Sequence, residues 1–382
     1  MVGRGCGCAT GAPAAMPRLA SVHVMAELDE LATRFRDFGR SSAARAPLYG
    51  RLAPCIADEP EILELLGVAP AEQQLPVLLF AAVHHLVLRG DEPDLERFYP
   101  NLVGEPDSGD PFPTFRECCR RHSDALRALI ATRSTQTNEV GRCSQFLPAL
   151  GMLADEVGTL AHLDVGTSAG LNLLLPRYEY RFSPGGSVGG PSPVVLDCAT
   201  RGGVPVPATL PDVGASIGID IAPIDVREDE EVRWLEACVW PDQADRFARL
   251  VAAVELARQQ PPDVRRGDAI GALPELVGEA SAHGHPVVTN SWVLNYLTPS
   301  QRTAYVATLD DLGNQRDLSW IIAESPAQTP ELPIPAASPG EDITVLSLVT
   351  WRGGHRVVRR LATTHPHGFW VHWEHRGTTR QR

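Results

Sequence analysis

The chain has 382 residues, 43% apolar and 21% charged, with a formal net charge of −13; its length exceeds the roughly 100 to 200 residues of one ordinary domain, so one large or two modest domains are expected. The acidic total argues against a broad nucleic-acid or anionic-lipid surface, and no run reaches the ~20 apolar residues of a membrane span. All 34 basic residues are arginine, which excludes Schiff-base chemistry and a P-loop lysine and leaves small molecules or proteins as the expected partners.

Residues 1–24 are rich in Gly, Ala and Pro, lack the apolar stretch of a secretory signal, and read as a disordered leader with Met16 or Met25 as alternative starts. Residues 25–135 are expected to form a helical domain or lid, because Ala26 to Gly39, Glu59 to Leu66, Pro70 to Arg89 and Phe115 to Ala131 carry apolar residues at three-and-four spacing. The proline-rich stretch Asp91 to Pro113 reads as an extended connection. His84 and His85 lie on an apolar helix and are read as core residues rather than ligands.

From Leu160 the pattern changes to short β-type runs separated by helices: Leu160 to Val165, Ser216 to Ile221, Val264 to Arg266, Pro286 to Ser291 and Leu318 to Ala323. Such alternation predicts an α/β domain with a mostly parallel sheet, spanning 136–376 and followed by a tail, 377–382. Ile343 to Trp351 and Gly368 to Glu374 read as an antiparallel hairpin closing the sheet edge. An insertion, 178–213, is expected to hold a hairpin made of Tyr178 to Phe182 and Pro193 to Asp197. Asp242 is expected to open a helix to Gln260, and Thr298-Pro299-Ser300-Gln301 carries the signature of a capping box.

The segment Asp164-Val165-Gly166-Thr167-Ser168-Ala169-Gly170-Leu171-Asn172 follows the first strand and is expected to open a short helix, the place where an open α/β sheet puts its ligand. Gly166 and Gly170 would let a ligand approach the backbone, and Ser168 could donate its hydroxyl. The spacing Asp-x-Gly-x-Ser-x-Gly fits a Rossmann-like, methyltransferase-type pocket for S-adenosylmethionine. Asp220, ending the second strand, is the acid expected to accept from ribose hydroxyls, in preference to Asp225. Asp268 after the third strand is placed to meet an adenine amino group, and Asn290 and Ser291 at the end of the fourth would border the transferred methyl. Each alone is an ordinary turn or capping residue; their position at successive strand ends is what makes a site.

The chain resembles a bacterial family known as domain of unknown function 2332, through Thr135 to Cys143 (TQTNEVGRC), Asp164 to Asn172 and Gly218-Ile219-Asp220, with further matching stretches at Leu79 to His84, Trp240 to Gln243 and Ser291 to Leu294. The resemblance runs from about Leu28 to Trp373. The family is similar to class I methyltransferases at Asp164 to Gly170, which implies a fold more than a reaction. The block Thr137 to Cys143 stands just before the first strand, where methyltransferases often pass a segment over the cofactor. There Arg142 could fork onto the cofactor carboxylate, while Glu139 and Asn138 are the candidate catalytic pair; Glu139 could equally serve only as an ion-pair partner of Arg142.

Two other classes compete. Gly166-Thr167-Ser168-Ala169-Gly170 also fits the nucleophile elbow of a serine hydrolase, with Ser168 attacking, although an elbow normally follows several strands and a glycine-rich oxyanion segment. A non-catalytic module that binds an adenosyl or nucleotide ligand is the third reading. The histidines at 355, 365, 367, 372 and 375 lack a completing carboxylate or cysteine, and Cys6-Gly7-Cys8 lies in the leader, so no metal site is assigned. Eight cysteines without a CxxC pair fit free thiols in a reducing cytosol, and a cytoplasmic location is expected.

Overall fold

A computed structural model describes residues 16–334 and 343–374, so the leader cysteines, His375 and the tail lie outside the described residues. The fold is α/β, and the chain divides into two compact units: the residues up to Thr135 together with Trp240–Asp242, and Gln136–Val239 together with the chain from Gln243 on. Among the described residues no helix is long and apolar enough to cross a membrane.

The first unit is helical: α1 (Met16–Ser42), α2 (Pro47–Ile56), α3 (Pro60–Leu63), α4 (Pro76–Leu88), α5 (Pro93–Glu96), α6 (Pro100–Val103), α7 (Phe112–Arg121) and α8 (Ser123–Thr132). Its grammar is proline at the first turn. Helices α2 to α6 each begin on a proline, whose fixed φ suits that position and whose missing N–H would have had no partner there. The same effect corrects the reading of Asp91 to Pro113: Pro93 and Pro100 start short helices within what the sequence presents as an extended connection. Helix α4 is buried along nearly its whole length and forms the axis of the unit. Tyr49 stacks on Phe80 with ring centroids 4.0 Å apart, Phe115 lies 6.0 Å from Phe80, and Trp240 meets Phe38 edge-on at 5.5 Å. His84 is fully buried, 3.2 Å from the Asn101 amide, as a core histidine should be. Asp242 does not open the helix that follows it; its carboxylate accepts from the Leu48 N–H in α2.

The second unit is built on one sheet of eleven strands. In chain order its elements are α9 (Cys143–Val157), β1 (Leu160–Val165), β2 (Glu179–Ser183), β3 (Gly186–Val188), β4 (Val195–Arg201), β5 (Val213–Asp220), α10 (Asp229–Ala237), α11 (Ala244–Gln259), β6 (Asp263–Arg266), α12 (Ala269–Ala280), β7 (His285–Ser291), α13 (Pro299–Gln315), β8 (Leu318–Glu324), β9 (Thr344–Arg352), β10 (His355–Thr364) and β11 (Trp370–Trp373). The spatial order is β3-β2-β4-β11-β10-β9-β8-β7-β1-β5-β6. Strands β6, β5, β1, β7 and β8 are all parallel and hold the five runs read from sequence, except that β5 ends at Asp220, one residue short of its run.

Chain order along this parallel part reverses at β1, whose neighbours are β5 on one side and β7 on the other; a crevice opens at such a reversal, outside the carboxyl ends of the strands. Side chains alternate across the sheet. Leu160, Val287 and Ile321 face one core with α9, α11 and the insertion, while Leu163, Val288 and Trp320 face a second core with α12 and α13.

The C-terminal strands are antiparallel, as expected, but β10 lies between β9 and β11, so Ile343 to Trp351 and Gly368 to Glu374 do not pair with each other. Nor do they close the sheet, because β11 continues it by pairing parallel with β4. The insertion corrects a second expectation: Tyr178 to Phe182 and Pro193 to Asp197 lie in parallel neighbours, and the hairpin is instead β2 with β3. Helix α9 stands between the Thr137 to Cys143 block and β1. At α13 the Thr298 hydroxyl and the Gln301 side chain bond each other's backbone N–H, the expected capping box.

Candidate functional site

Four of the parallel strands end in chemistry. Beyond β1 the chain bends through Gly166 (φ +70°), Ser168 (φ +57°) and Gly170 (φ +73°), and beyond β7 Trp292 takes φ +55°. Ser168 and Trp292 are the described residues other than glycine with positive φ. Strain of this kind costs energy and concentrates at functional sites. The bend leads into a short 3₁₀ helix, Leu171–Arg177, where a short helix from Ala169 to Leu175 is expected.

The glycines have a different task from the expected one. A Cβ on Gly166 would collide with Val293, and one on Gly170 with Val264 and Pro262, so the space beside them is filled by protein. The backbone donors of the bend are also engaged. Gly166 N–H and Thr167 N–H bond the Ile219 carbonyl, Ser168 N–H bonds the Asp220 carboxylate at 2.8 Å, and Leu171 N–H bonds Asn138 Oδ1 at 3.0 Å. Gly166 and Gly170 therefore serve positive φ and close packing.

Beneath the bend lies a buried polar chain. Asp164, 4% exposed, accepts from Thr167 Oγ1 and Thr289 Oγ1, both at 2.8 Å, and Thr289 Oγ1 is 2.8 Å from His162 Nε2. Because the single Thr289 hydroxyl proton goes to Asp164, the network assigns the His162 proton to Nε2. Burial pushes the Asp164 carboxyl up to about 6, against the two hydroxyl bonds that favour its ionised form, and pulls His162 down to about 4.

Asp220 is half-buried; beside the Ser168 contact it accepts from Ala222 N–H at 2.9 Å, which leaves lone pairs on both oxygens. Asp225 is half-buried and pairs with Arg227. Asp268 caps α12 by accepting from Gly271 N–H at 2.9 Å, the ordinary fate of an aspartate at a helix start. Asn290 is fully buried and engaged at both ends, by Glu324 and by the Trp320 indole, which corrects its expected place beside a ligand. Asn172 faces the Cys143 thiol at 3.5 Å.

In contrast, Ser168 Oγ, Ser291 Oγ and Glu324 Oε2 are buried side-chain oxygens with no hydrogen-bond partner. They stand at the carboxyl ends of β1, β7 and β8. Glu324, missed because the sequence run was closed at Ala323, is fully buried; its Oε1 accepts from Asn290 Nδ2, Val293 N–H and Leu294 N–H, and burial raises its carboxyl above the usual range. A carboxylate at the carboxyl end of a parallel strand one removed from the switch point was the available signal.

The segment before α9 packs over this crevice. Arg142, 8% exposed, donates from Nε to the Pro366 carbonyl and from Nη1 to the Ser291 carbonyl, leaving further guanidinium donors. Glu139 pairs with Arg246 of α11 rather than with Arg142, lies 3.4 Å from His367 Nδ1, and accepts from Gly141 N–H. The Arg246 guanidinium, the His367 contact and the nearby Arg142 charge hold its carboxyl far below the ordinary range in spite of burial. An acid held there is a feeble proton acceptor at neutral pH, so its expected role as base gives way to that of a buried ion-pair anchor. A small cavity lined by Gln136, Thr137, Asn138, Glu139 and Arg246 opens beside it.

The hydrolase alternative retains its strained serine, but Ser168 Oγ has no histidine on it. Among the described residues no three His, Cys, Asp or Glu side chains converge as metal ligands, and the six described cysteines are free. Residues 32–373 match the family described as "Uncharacterized protein conserved in bacteria (DUF2332)". Neither a curated protein nor a solved structure matches the chain.

Proposed function

The chain belongs to the bacterial DUF2332 family, and we propose that its second unit is a Rossmann-like S-adenosylmethionine-dependent methyltransferase. The observation that carries this reading is the pair formed by Ser168 and Asp220 at the strand-order reversal: a buried hydroxyl without a partner, and a half-buried carboxylate with lone pairs to spare, joined by the Ser168 N–H. A nucleoside with vicinal hydroxyls fits that combination, because the carboxylate can accept from both. Ser291 Oγ and the remaining donors of Arg142 offer polar partners for the amino-acid arm. S-adenosylmethionine supplies an electrophilic methyl group.

Methyl transfer depends chiefly on positioning, which the packed bend and the Glu139–Arg246 anchor provide. Where an acceptor must lose a proton, Glu324 is better matched than Glu139, because burial has moved its carboxyl toward the range in which a proton is taken and released. Native mass spectrometry of the protein purified from cells, followed by titration with S-adenosylmethionine and its demethylated product, tests the proposal. Saturable binding of either compound is expected. Unchanged mass and unchanged melting with both would reject it.

A further inference from the structure

Around Glu139 positive charge exceeds negative. Its one carboxylate meets Arg246 and His367 directly, and Arg142 is close enough to lower its pKa further. One turn along α11, Arg249 adds another cation, and two of its donors, Nε and Nη2, are buried with no acceptor among the described residues. Its guanidinium lies 5.7 Å above the Phe369 ring, and Phe369 in turn lies 6.1 Å from the His367 ring on the same β10–β11 turn. Arg142, Arg177 and Arg316 also have no acid on them but bond a carbonyl or a hydroxyl, which Arg249 does not. Buried guanidinium donors are normally matched by carboxylate or phosphate.

We infer that Arg249, with Arg246 and His367, forms an oxyanion site that takes the carboxylate or phosphate of a small molecule. Phe369 is 41% exposed, so the site is reached from solvent along that ring, while Glu139 is already neutralised by Arg246 and does not cancel the Arg249 charge. Arg142, next in this group of cations, donates to the carbonyls of Pro366, beside His367, and of Ser291, so a molecule anchored here by its anionic end would extend along it toward the carboxyl end of β7. Naming that molecule the methyl acceptor rests on the methyltransferase reading; the anion site does not.

The test is thermal melting and calorimetric titration of the full chain with sodium phosphate and with sodium acetate, against sodium chloride at equal ionic strength, for the wild type, Arg249→Gln and Arg249→Lys. Wild type is expected to be stabilised by at least one oxyanion, R249Q to bind it about tenfold more weakly, and R249K to recover part of the loss. A response to phosphate alone supports the site and identifies a phosphorylated molecule; a response to acetate alone supports it and identifies a carboxylate. Equal behaviour of all three salts with wild type overturns the proposal, and so does an undiminished response in R249Q, which would mark a general salt effect. Parallel titration of R249Q with S-adenosylhomocysteine separates this result from the fate of the cofactor reading, since that affinity is expected to be unchanged.

Discussion

Two buried acidic regions of the sheet unit are wired in opposite ways. Around Glu139 the partners are the Arg246 guanidinium and the His367 ring, and the carboxylate is held ionised. Around Asp164 and Glu324 the partners are hydroxyl and N–H donors, no guanidinium touches either acid, and burial raises both. The first arrangement suits an anchor, since a fixed charge pair locks the segment before α9 to α11. The second suits a site where charge must be received, since a neutral environment leaves room for a ligand's own donors.

The largest expected effect breaks the first region. Glu139→Gln leaves the Arg246 guanidinium, whose side chain is 10% exposed, without its counter-charge, and should cost about 3–5 kcal/mol in denaturant unfolding. Glu324→Gln in the second region keeps a carbonyl oxygen for the three N–H donors and strands no cation, exchanging only the unpartnered Oε2 for an amide NH2 without an acceptor, and should cost about 1–3 kcal/mol. If the two losses were equal, the distinction between the regions would fail.

The pH dependences should also have opposite signs. Asp164 is raised from an ordinary 3.8 to about 6, so the folded state holds its proton more tightly; the stability it contributes is complete below about pH 3.8 and is lost as pH rises through about 6. Glu139 is lowered, so its contribution is present above its ordinary 4.5 and is lost as pH falls below that value. The melting temperature of wild type minus that of Asp164→Asn should therefore decline between pH 4 and 6.5. His162 titrates in both proteins and drops out of the difference. A difference that rises over this window would contradict the assignment. The smallest effect lies away from both regions: Thr298→Ala should cost about 1 kcal/mol through the lost cap of α13, with no change in any pH profile.

What the sequence made legible was local. The five parallel strands, the capping box of α13 and the bend after β1 are each written in a few consecutive residues. The ion pair of Glu139 was not, because Arg246 is 107 positions away and only folding selects it over Arg142. Helix α9 escaped notice because Cys143 to Gly151 is buried on every side and contains Pro148, so it shows no polar face. Strand β10 was hidden by its arginines. Arg356 and Arg360 reach Asp310 and Glu374, an amphipathic use of long side chains that a pattern of apolar residues does not register.

The account depends most on Asp220 as the acceptor of ribose hydroxyls beside a strained Ser168. Isothermal titration of S-adenosylhomocysteine into wild type and Asp220→Ala, with circular dichroism to confirm that both are folded, measures this directly. Saturable binding to wild type that is lost in the folded variant is the predicted result. Equal affinity in the two proteins would contradict it.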